Sequence, residues 1–317
     1  MNWELNARAS QLAASFLTSA ETLRIAVHEI PGGGRVLDCG VAVEGGLGAG
    51  LALAQICTAG LAEISMIPGE IGGRGWPHVL VATDHAVPAC LFSQYAGWQL
   101  GVEKFFAMGS GPMRALAARE EVFKKLVYRE TATSAVGVLE GRKLPTPAVF
   151  QFLAEKTGVA PKDTTLLIAP TASAAGNFQV VARVVETALH KLFEVGFDVT
   201  RIRSAVGTAP LSPVARDDLT GIGRTNDAIL YGGRVTLWVR GDDESIAETG
   251  PKVPAMASAS YGEPFLKIFE QAGHDFYKID PHLFSPAEVM FQNLDTGTVH
   301  AFGKTAPDVL RSSFGML

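Results

Sequence analysis

One local order recurs along the chain and limits its fold more than any other feature: a β-type run, a loop of small residues, then a helical pattern. It occurs at HVLVATD (78–84), at FFAMGSG (105–111) and at TTLLIAP (164–170). In each case the apolar run is short enough for a strand, and the segment after the loop has helical spacing. Strands and helices therefore mingle throughout, which is typical of α/β and α+β proteins.

Near the N-terminus, TLRIAVHEI (22–30) and RVLDCGVAV (35–43) are two β-type runs joined by PGGG. Glycines adopt the positive φ angles of a tight turn, so the pair predicts a β-hairpin. An antiparallel pair in this half of the chain favours α+β. We therefore predict an α+β (mixed α/β) fold of two domains with a pocket between them.

The length of 317 residues is enough for two domains of ordinary size. The run LPTP (144–147), near the middle, is the best candidate for a linker because proline interrupts regular structure. The predicted domains are an N-terminal α+β domain, 1–146, and a C-terminal α+β domain, 147–317. In this scheme a segment near the C-terminus can return to the first domain.

Charge and composition set several classes of partner aside. The formal net charge of −5 provides no basic stripe for nucleic acid. Cys39, Cys57 and Cys90 have no CxxC spacing, and the histidines form no HExxH motif, so we expect no metal. The N-terminus lacks the features of a signal peptide, and the longest apolar stretch is interrupted by Glu44 and Glu63, so we expect a cytoplasmic protein with no membrane partner.

The glycine-rich loops do not match nucleotide-binding motifs. In GGLGAGLALA, Leu51 stands where the third glycine of GxGxxG would fall, and no GxxxxGK[ST] occurs. The loops at 45–50, 109–112 and 171–177 are still candidates for binding a phosphate or carboxylate through backbone N–H groups. The alternative is that their small residues only permit tight turns and close packing.

The segment NFQVVARVVETALHKL (177–192) carries the most informative polar pattern. Helical spacing places its valines on one broad face, and Gln179, Arg183, Glu186 and His190 on the opposite face. That polar face meets either bulk water or a functional site. On an exposed helix, Arg183 and Glu186 would be an ordinary i,i+3 ion pair; near a cleft, the carboxylate could take a proton from water.

Five long strings together resemble one family, the methenyltetrahydromethanopterin cyclohydrolases, and they span most of the chain. The matching strings are GGRGWPHVLVATDHAVPACLFSQYAGWQ, FFAMGSGPMRALA, APTASAAGNFQVVARVVETALHK, SAVGTAPLSPVARDDLTGIGRTNDAILYGG and FYKIDPHLFSPAEV.

The resemblance implies a cytoplasmic enzyme of one-carbon metabolism that acts on a small-molecule pterin. The implied reaction is the reversible hydrolysis of the cationic N5,N10-methenyl-tetrahydromethanopterin, or of its dephospho form, to the N5-formyl derivative. It belongs to methanogenesis in some lineages and to formaldehyde oxidation in others. The resemblance also implies a homotrimer and no metal or redox cofactor.

The catalytic arginine and glutamate of the family map onto Arg183 and Glu186 in ARVVET. Glu186 would accept a proton from water, and Arg183 would keep it ionised. Further residues of the matching strings are candidates for substrate binding, although helix capping, core packing or a subunit contact would explain them equally well. They are Asn177, Gln179, Ser110, Gly111, Arg224, Thr225, Asn226 and Phe284.

Two alternatives remain open at this stage. One is another enzyme on the same scaffold that acts on a related folate-like or formyl-carrying compound. The other is a non-catalytic pterin-binding or assembly module, against which the presence of both Arg183 and Glu186 argues.

Overall fold

The computed structural model describes residues 2–275 and 278–316. Over these residues it contains two six-stranded sheets with helices against them, which confirms the predicted α+β class. The strands are β1 (Ala26–Glu29), β2 (Arg35–Asp38), β3 (Glu63–Ile71), β4 (Arg74–Thr83), β5 (Trp98–Val102), β6 (Phe105–Ser110), β7 (Ala135–Glu140), β8 (Thr164–Ala169), β9 (Ile202–Pro210), β10 (Arg234–Val239), β11 (Glu288–Asn293) and β12 (Val299–Gly303).

The α-helices are α1 (Leu5–Leu17), α2 (Leu47–Cys57), α3 (Met113–Ala117), α4 (Glu121–Lys125), α5 (Pro147–Thr157), α6 (Ala174–Val181), α7 (Val184–Glu194), α8 (Asp218–Gly232), α9 (Asp243–Thr249), α10 (Phe265–Gln271) and α11 (Pro307–Phe314). A π-helix spans Val87–Gln94, and several short 3-10 turns connect the other elements.

The chain forms two compact units with borders that differ from those predicted. Unit 1 comprises the described residues up to Ala62 together with Pro88–Gln179; unit 2 comprises Glu63–Val87 and the described residues from Val180 onward. The border expected after residue 146 falls inside unit 1. The LPTP run marks the start of a helix and not a linker, because Thr146 is the N-cap of α5 and Pro147 is the first residue of that helix.

Unit 1 contains the sheet β1-β2-β8-β7-β6-β5. The predicted hairpin is confirmed: β1 and β2 pair antiparallel on either side of PGGG. Strands β2, β8 and β7 run parallel to one another in the middle of the sheet. Helices α3 and α5 contribute to the core on one face, and α1 and α2 to the core on the other.

The middle strands are apolar because both of their faces are covered. In β8, Leu166 and Ile168 belong to one core, and Leu167 and Ala169 belong to the other. Successive side chains of a strand point to opposite faces, so a strand between two layers of helices reads as a continuous apolar run. This arrangement explains the run TTLLIA.

Unit 2 contains the sheet β12-β11-β10-β9-β4-β3. Its strands pair antiparallel except for β10 and β11, which are parallel. Helix α7 lies against β9 and β10, and α8 contacts both α10 and α11. The side chain of Asp217 caps α8 by accepting a hydrogen bond from the backbone N–H of Thr220.

Two segments differ from what their sequence predicts. The pattern of LFSQYAGWQL (91–100) predicts a helix, but the helical residues end at Gln94 and Trp98–Val102 forms β5, because Trp98 and Leu100 alternate inward with exposed neighbours in the period of a strand. The run DFYKID (275–280) has the composition of a strand, but its residues 276 and 277 lie outside the described residues. Residues 278–280 do not form a strand.

One exposed residue is held in a conformation that suits glycine. Val127 follows α4 with a φ of +50°. The N–H of Tyr128 donates to Phe123 O, and that of Val127 donates to Lys124 O, which is the hydrogen-bond pattern of a Schellman motif. Val127 is 89% exposed, so no packing compensates for the strain of a β-branched residue at this position.

We expect Val127→Gly to stabilise the protein by ~0.5–1 kcal/mol. Glycine removes the left-handed strain, and this gain exceeds the stability lost because glycine gives the unfolded chain more entropy. The reverse change at Gly158, the left-handed C-cap of α5, is the matched control. A Cβ there would meet no atom within 4 Å, so Gly158→Val should lose stability through backbone strain alone. Urea unfolding measures both variants. A Val127→Gly protein no more stable than the wild type would contradict this account.

Candidate active site

The segment predicted as one helix is two helices. Helix α6 ends at Val181 and α7 begins at Val184, with Ala182 and Arg183 in a turn between them. The prediction of one continuous helix is therefore wrong at 182–183. Two valines lie on each side of this turn, and β-branched residues are weak helix formers.

This break places the two candidate catalytic residues at the start of a helix. Arg183 is the N-cap of α7, and Glu186 lies in its first turn. The first N–H groups of a helix have no partner within it, and the helix macrodipole stabilises negative charge there. A carboxylate at position 186 therefore receives support from its own helix in addition to any support from an arginine.

Three of the four residues on the polar face of this segment are withdrawn from bulk water, whereas the fourth, His190, is part-exposed beside Glu194. The exposed fraction is 1% for Gln179, 5% for Arg183 and 4% for Glu186. An ordinary surface ion pair would be largely exposed, so the surface alternative is wrong for these residues. Burying a guanidinium and a carboxylate is costly unless they are neutralised and hydrogen-bonded. Buried ionisable groups of this kind cluster at functional sites.

A glycine in the neighbouring strand holds the start of α7 close to the sheet. A Cβ built at Gly207 in β9 would lie 2.6 Å from Val185 Cγ2 and 2.9 Å from Val184 Cγ1. Non-bonded carbon atoms do not come this close, so the helix can approach the strand only because residue 207 is glycine. Val184 and Val185 immediately precede Glu186, and their contact with β9 therefore fixes the first turn of α7.

In unit 1, the loop before α6 uses its polar groups internally. Ser173 Oγ donates to Pro170 O and accepts from the N–H of Gly176. A Cβ at Gly176 would lie 2.0 Å from Pro170 O, so the loop is also tightly packed. Asn177 and Gln179 follow on α6, and both are buried. These contacts match the close-packing alternative for the small residues of this loop.

The GSG loop is similarly engaged. The N–H of Gly111 donates to Ser93 O at 2.9 Å, and Gly111 has a φ of +90°. Ser110 is buried, and its hydroxyl donates to Val138 O at 3.1 Å. Nη1 of the buried Arg114 donates to the same Ser93 carbonyl. In this conformation the Gly111 N–H is used inside unit 1, as expected for a tight turn.

In unit 2, the polar residues of GRTND hold helices together. Arg224 donates through Nε to Ser313 O and through Nη1 to Val214 O. The hydroxyl of Thr225 and the amide of Asn226 donate to carbonyls one turn earlier in α8. These side-chain donors serve the helix and its neighbours, which is the structural alternative left open for them.

Two further residues join this helix cluster. Asp227 accepts hydrogen bonds from the N–H of Phe265 at 2.8 Å and from Ser313 Oγ at 2.5 Å. Burial raises the pKa of Asp227 to about 7. Phe284 is half-buried and packs edge-on against Phe265, with ring centroids 5.6 Å apart.

The structure thus groups the predicted residues in a definite way. Arg183 and Glu186 share the start of α7; the 224–226 residues lie on α8, and Phe284 follows the 3-10 turn Pro281–Leu283. All of these belong to unit 2, whereas the other four candidates belong to unit 1. Those four are Ser110, Gly111, Asn177 and Gln179.

Sequence reasoning missed one residue on α7. Lys191 is buried, and its Nζ donates to His282 O at 2.7 Å. The signal was present, since Lys191 lies three residues after Ala188 and seven after Val184, on the apolar face of the predicted helix. A lysine on that face needs an internal partner.

Two features are absent from the part of the chain that the structure describes. No group of three or more His, Cys, Asp or Glu residues is arranged to hold a metal ion. No described helix is both long enough and apolar enough to cross a membrane.

Comparison with known proteins identifies the class. A family profile described as Cyclohydrolase (MCH) matches residues 4–314. The chain is therefore an enzyme of the cyclohydrolase family, and the resemblance seen in its motifs is confirmed.

Relatives extend the match across nearly the whole chain, and each is named methenyltetrahydromethanopterin cyclohydrolase. The protein of Methylobacillus flagellatus is 43% identical over 98% of this chain and 95% of its own length. That of Rhodopirellula baltica is 48% identical over 90% and 87%, respectively. That of Methanosarcina barkeri is 40% identical over 98% of both.

Asp227 generates a prediction about pH and stability. Its folded-state pKa of about 7 is above the ordinary value of 3.8. The protonated carboxyl of Asp227 therefore contributes its full share of folding stability below pH 3.8, and this stability is lost as pH rises through 7. Asparagine can keep both hydrogen bonds without charge. We therefore expect Asp227→Asn to gain stability relative to the wild type between pH 5 and pH 8, by at least ~1 kcal/mol.

Urea unfolding at the two pH values measures this difference. The control is Asp217→Asn at the exposed start of the same helix, where bonds to Thr220 lower the pKa of the carboxyl. Its effect on stability should be the same at pH 5 and pH 8, because a carboxyl with a lowered pKa is ionised in the folded and the unfolded chain at both values. Equal behaviour of Asp227→Asn and the wild type at both pH values would refute the burial argument.

The close approach at Gly207 generates a second prediction. Gly207→Ala should cost ~1–3 kcal/mol of stability, because the added methyl group overlaps Val185 and displaces the first turn of α7. Adding Val185→Ala should recover part of this loss, because it removes the closer of the two overlaps and leaves the one with Val184. A double-mutant cycle in urea measures the coupling. Strict additivity of the two changes would mean that the helix does not rest on this strand as described.

Proposed function

We propose that the protein catalyses the reversible hydrolysis of N5,N10-methenyl-tetrahydromethanopterin, or of its dephospho form, to the N5-formyl derivative, in one-carbon metabolism. The observation that carries the proposal is the burial of Arg183 and Glu186 at the start of α7. Its support is that the relatives matched over most of their length bear the name of this reaction.

The substrate makes water the partner that needs activation. Its methenyl carbon lies between two nitrogens that share a positive charge, so the carbon is already electrophilic. As the water oxygen bonds to this carbon, Glu186 accepts a proton from it. The negative charge of Glu186 also offsets the positive charge of the substrate.

Ring opening completes the reaction. The bond between the former methenyl carbon and N10 breaks, its electron pair goes to N10, and the carbonyl of the N5-formyl group forms. Protonated Glu186 returns its proton to N10, and the hydroxyl proton of the intermediate leaves to solvent. The net change is the addition of one water and the release of one proton.

Arg183 acts through Glu186 in this proposal. A guanidinium remains charged at every pH of interest, so it keeps a neighbouring buried carboxylate ionised and oriented. Beside a cationic substrate an arginine alone would be repulsive. Together with Glu186 it forms a neutral pair, which removes that objection.

The remaining expectations belong to the same proposal. The buried amides of Asn177 and Gln179 and the half-buried ring of Phe284 are the most suitable groups for a flat, polar pterin. The reaction as written requires no metal or redox cofactor because the carbon needs no further polarisation. The expected homotrimer and cytoplasmic location are part of this hypothesis.

The proposal predicts that Glu186→Gln reduces kcat by at least ~100-fold while the fold is retained, because a positioned base contributes ~10² to 10⁴ in rate. Loss of the methenyl absorbance measures turnover, with the phosphorylated and dephospho carriers tested separately. Glu194→Gln on the same helix is the matched control, since its carboxylate is half-exposed and should leave turnover unchanged.

Two results would count against the proposal. Near-normal turnover by Glu186→Gln would remove Glu186 as the base. Binding of the carrier by folded wild-type protein without hydrolysis would instead support a non-catalytic pterin-binding module. Retention of turnover after dialysis against EDTA is the expected result for a reaction without a metal.

A further inference from the structure

Helix α7 carries a second buried charged residue besides Glu186. Lys191 is five residues further along the helix, and only 2% of it is exposed. Burial lowers its pKa to about 8, and the negative charge of Asp280 acts in the opposite direction. At neutral pH the amino group is therefore mostly protonated.

The amino group of Lys191 contacts one segment of the chain in particular. Its Nζ donates a hydrogen bond to His282 O at 2.7 Å. His282 belongs to the 3-10 turn Pro281–Leu283, which directly precedes Phe284. Lys191 thus joins the helix that carries Glu186 to the segment that carries Phe284, within one compact unit.

The same segment is fastened from its other side. Asp280 accepts hydrogen bonds from the N–H of His282 at 3.0 Å and from Ser258 Oγ at 2.5 Å. The N–H of Ala255 donates to Pro286 O. Residues 280–286 are therefore held at both ends and at Lys191 in the middle, although they contain no regular element longer than one turn.

Two groups at the centre of this segment suit a ligand. The ring of Phe284 is half-buried and rests edge-on against Phe265. The hydroxyl of Ser285 is fully buried and has no hydrogen-bond partner within the described residues. An aromatic ring next to an uncommitted hydroxyl fits a flat heterocycle with polar edges.

A purely structural role explains Lys191 poorly. Leucine or methionine would fill the same apolar position of α7 without the cost of burying an ammonium group. The charged group instead reaches one carbonyl, in a segment with little secondary structure of its own. Such a contact fixes the position of the segment and adds little to the stability of the fold.

We propose that Lys191 is a positioning residue that fixes the 281–285 segment against α7, so that Phe284 and Ser285 are preorganised for the pterin ring of the carrier. This inference rests on the proposed function for the identity of the ligand. If the 281–285 segment loses its fixed position, binding of the substrate and of the transition state is weakened equally. KM then rises and kcat is nearly unchanged.

The first test is Lys191→Met, which keeps the length of the side chain and removes its donor. We expect KM for the methenyl carrier to rise about tenfold, with kcat within about threefold of the wild type. Lys267→Met is the matched control, because Lys267 is exposed on α10 and pairs with Glu263, which lies just before that helix. An unchanged KM in Lys191→Met, or a loss confined to kcat, would overturn the proposal.

A second variant covers the case in which Lys191→Met does not fold. Ser258→Ala removes one of the hydrogen bonds to Asp280 and loosens the same segment from outside α7. It should raise KM in the same direction, by about threefold, with kcat unchanged. A KM equal to that of the wild type would contradict the role assigned to this segment.

A measurement without the carrier separates this inference from the proposed function. In Lys191→Met, the amides of Leu283 and Ser285, which donate to Asp280 O and Leu283 O, should exchange hydrogen faster, whereas those of β8 should not change. Unchanged exchange at 283–285 would show that Lys191 does not anchor the segment. Wild-type protein without turnover would refute the proposed function, and the exchange result would still decide the anchoring.

Discussion

The burial of two charged side chains at the start of α7 is the constraint on which the rest of the account depends. Arg183 and Glu186 are almost entirely withdrawn from water, although each would be fully solvated on an ordinary surface helix. A fold tolerates this cost only where the groups are neutralised and held in place. The helix break at 182–183, the helix N-terminus and the contact with Gly207 all act on this one turn.

The sheet of unit 2 gives this turn a rigid support. Because Gly207 has no side chain, the valines that precede Glu186 rest directly on β9, and small shifts of the helix are resisted by close packing. Lys191 links the other end of the same helix to the 281–285 segment. One helix therefore carries the candidate base and contacts a loop suited to an aromatic ligand, which is the kind of preorganisation that catalysis requires.

Much of this arrangement follows from sequence, and the exceptions have physical reasons. The hairpin at PGGG and the apolar run of β8 follow from turn chemistry and from strand alternation. Periodicity also placed Arg183 and Glu186 on one face, but it cannot say what covers a face. The helical periodicity continues across 182–183, so it does not predict the break between α6 and α7. The LPTP run resembled a linker because proline marks a helix start equally well.

The candidate binding residues show the same limit. Arg224, Thr225 and Asn226 each donate a hydrogen bond to a backbone carbonyl of unit 2. Their part in binding a ligand stays a prediction. The sequence shows which hydrogen bonds a side chain can donate, and only the structure shows which acceptor receives them.

The most direct measurement is a crystal structure of Glu186→Gln protein with the methenyl carrier bound. We expect the side chain at 186 to lie within hydrogen-bond reach, ~2.6–3.2 Å, of a water adjacent to the methenyl carbon. A carrier bound with that carbon remote from α7 would contradict the central claim.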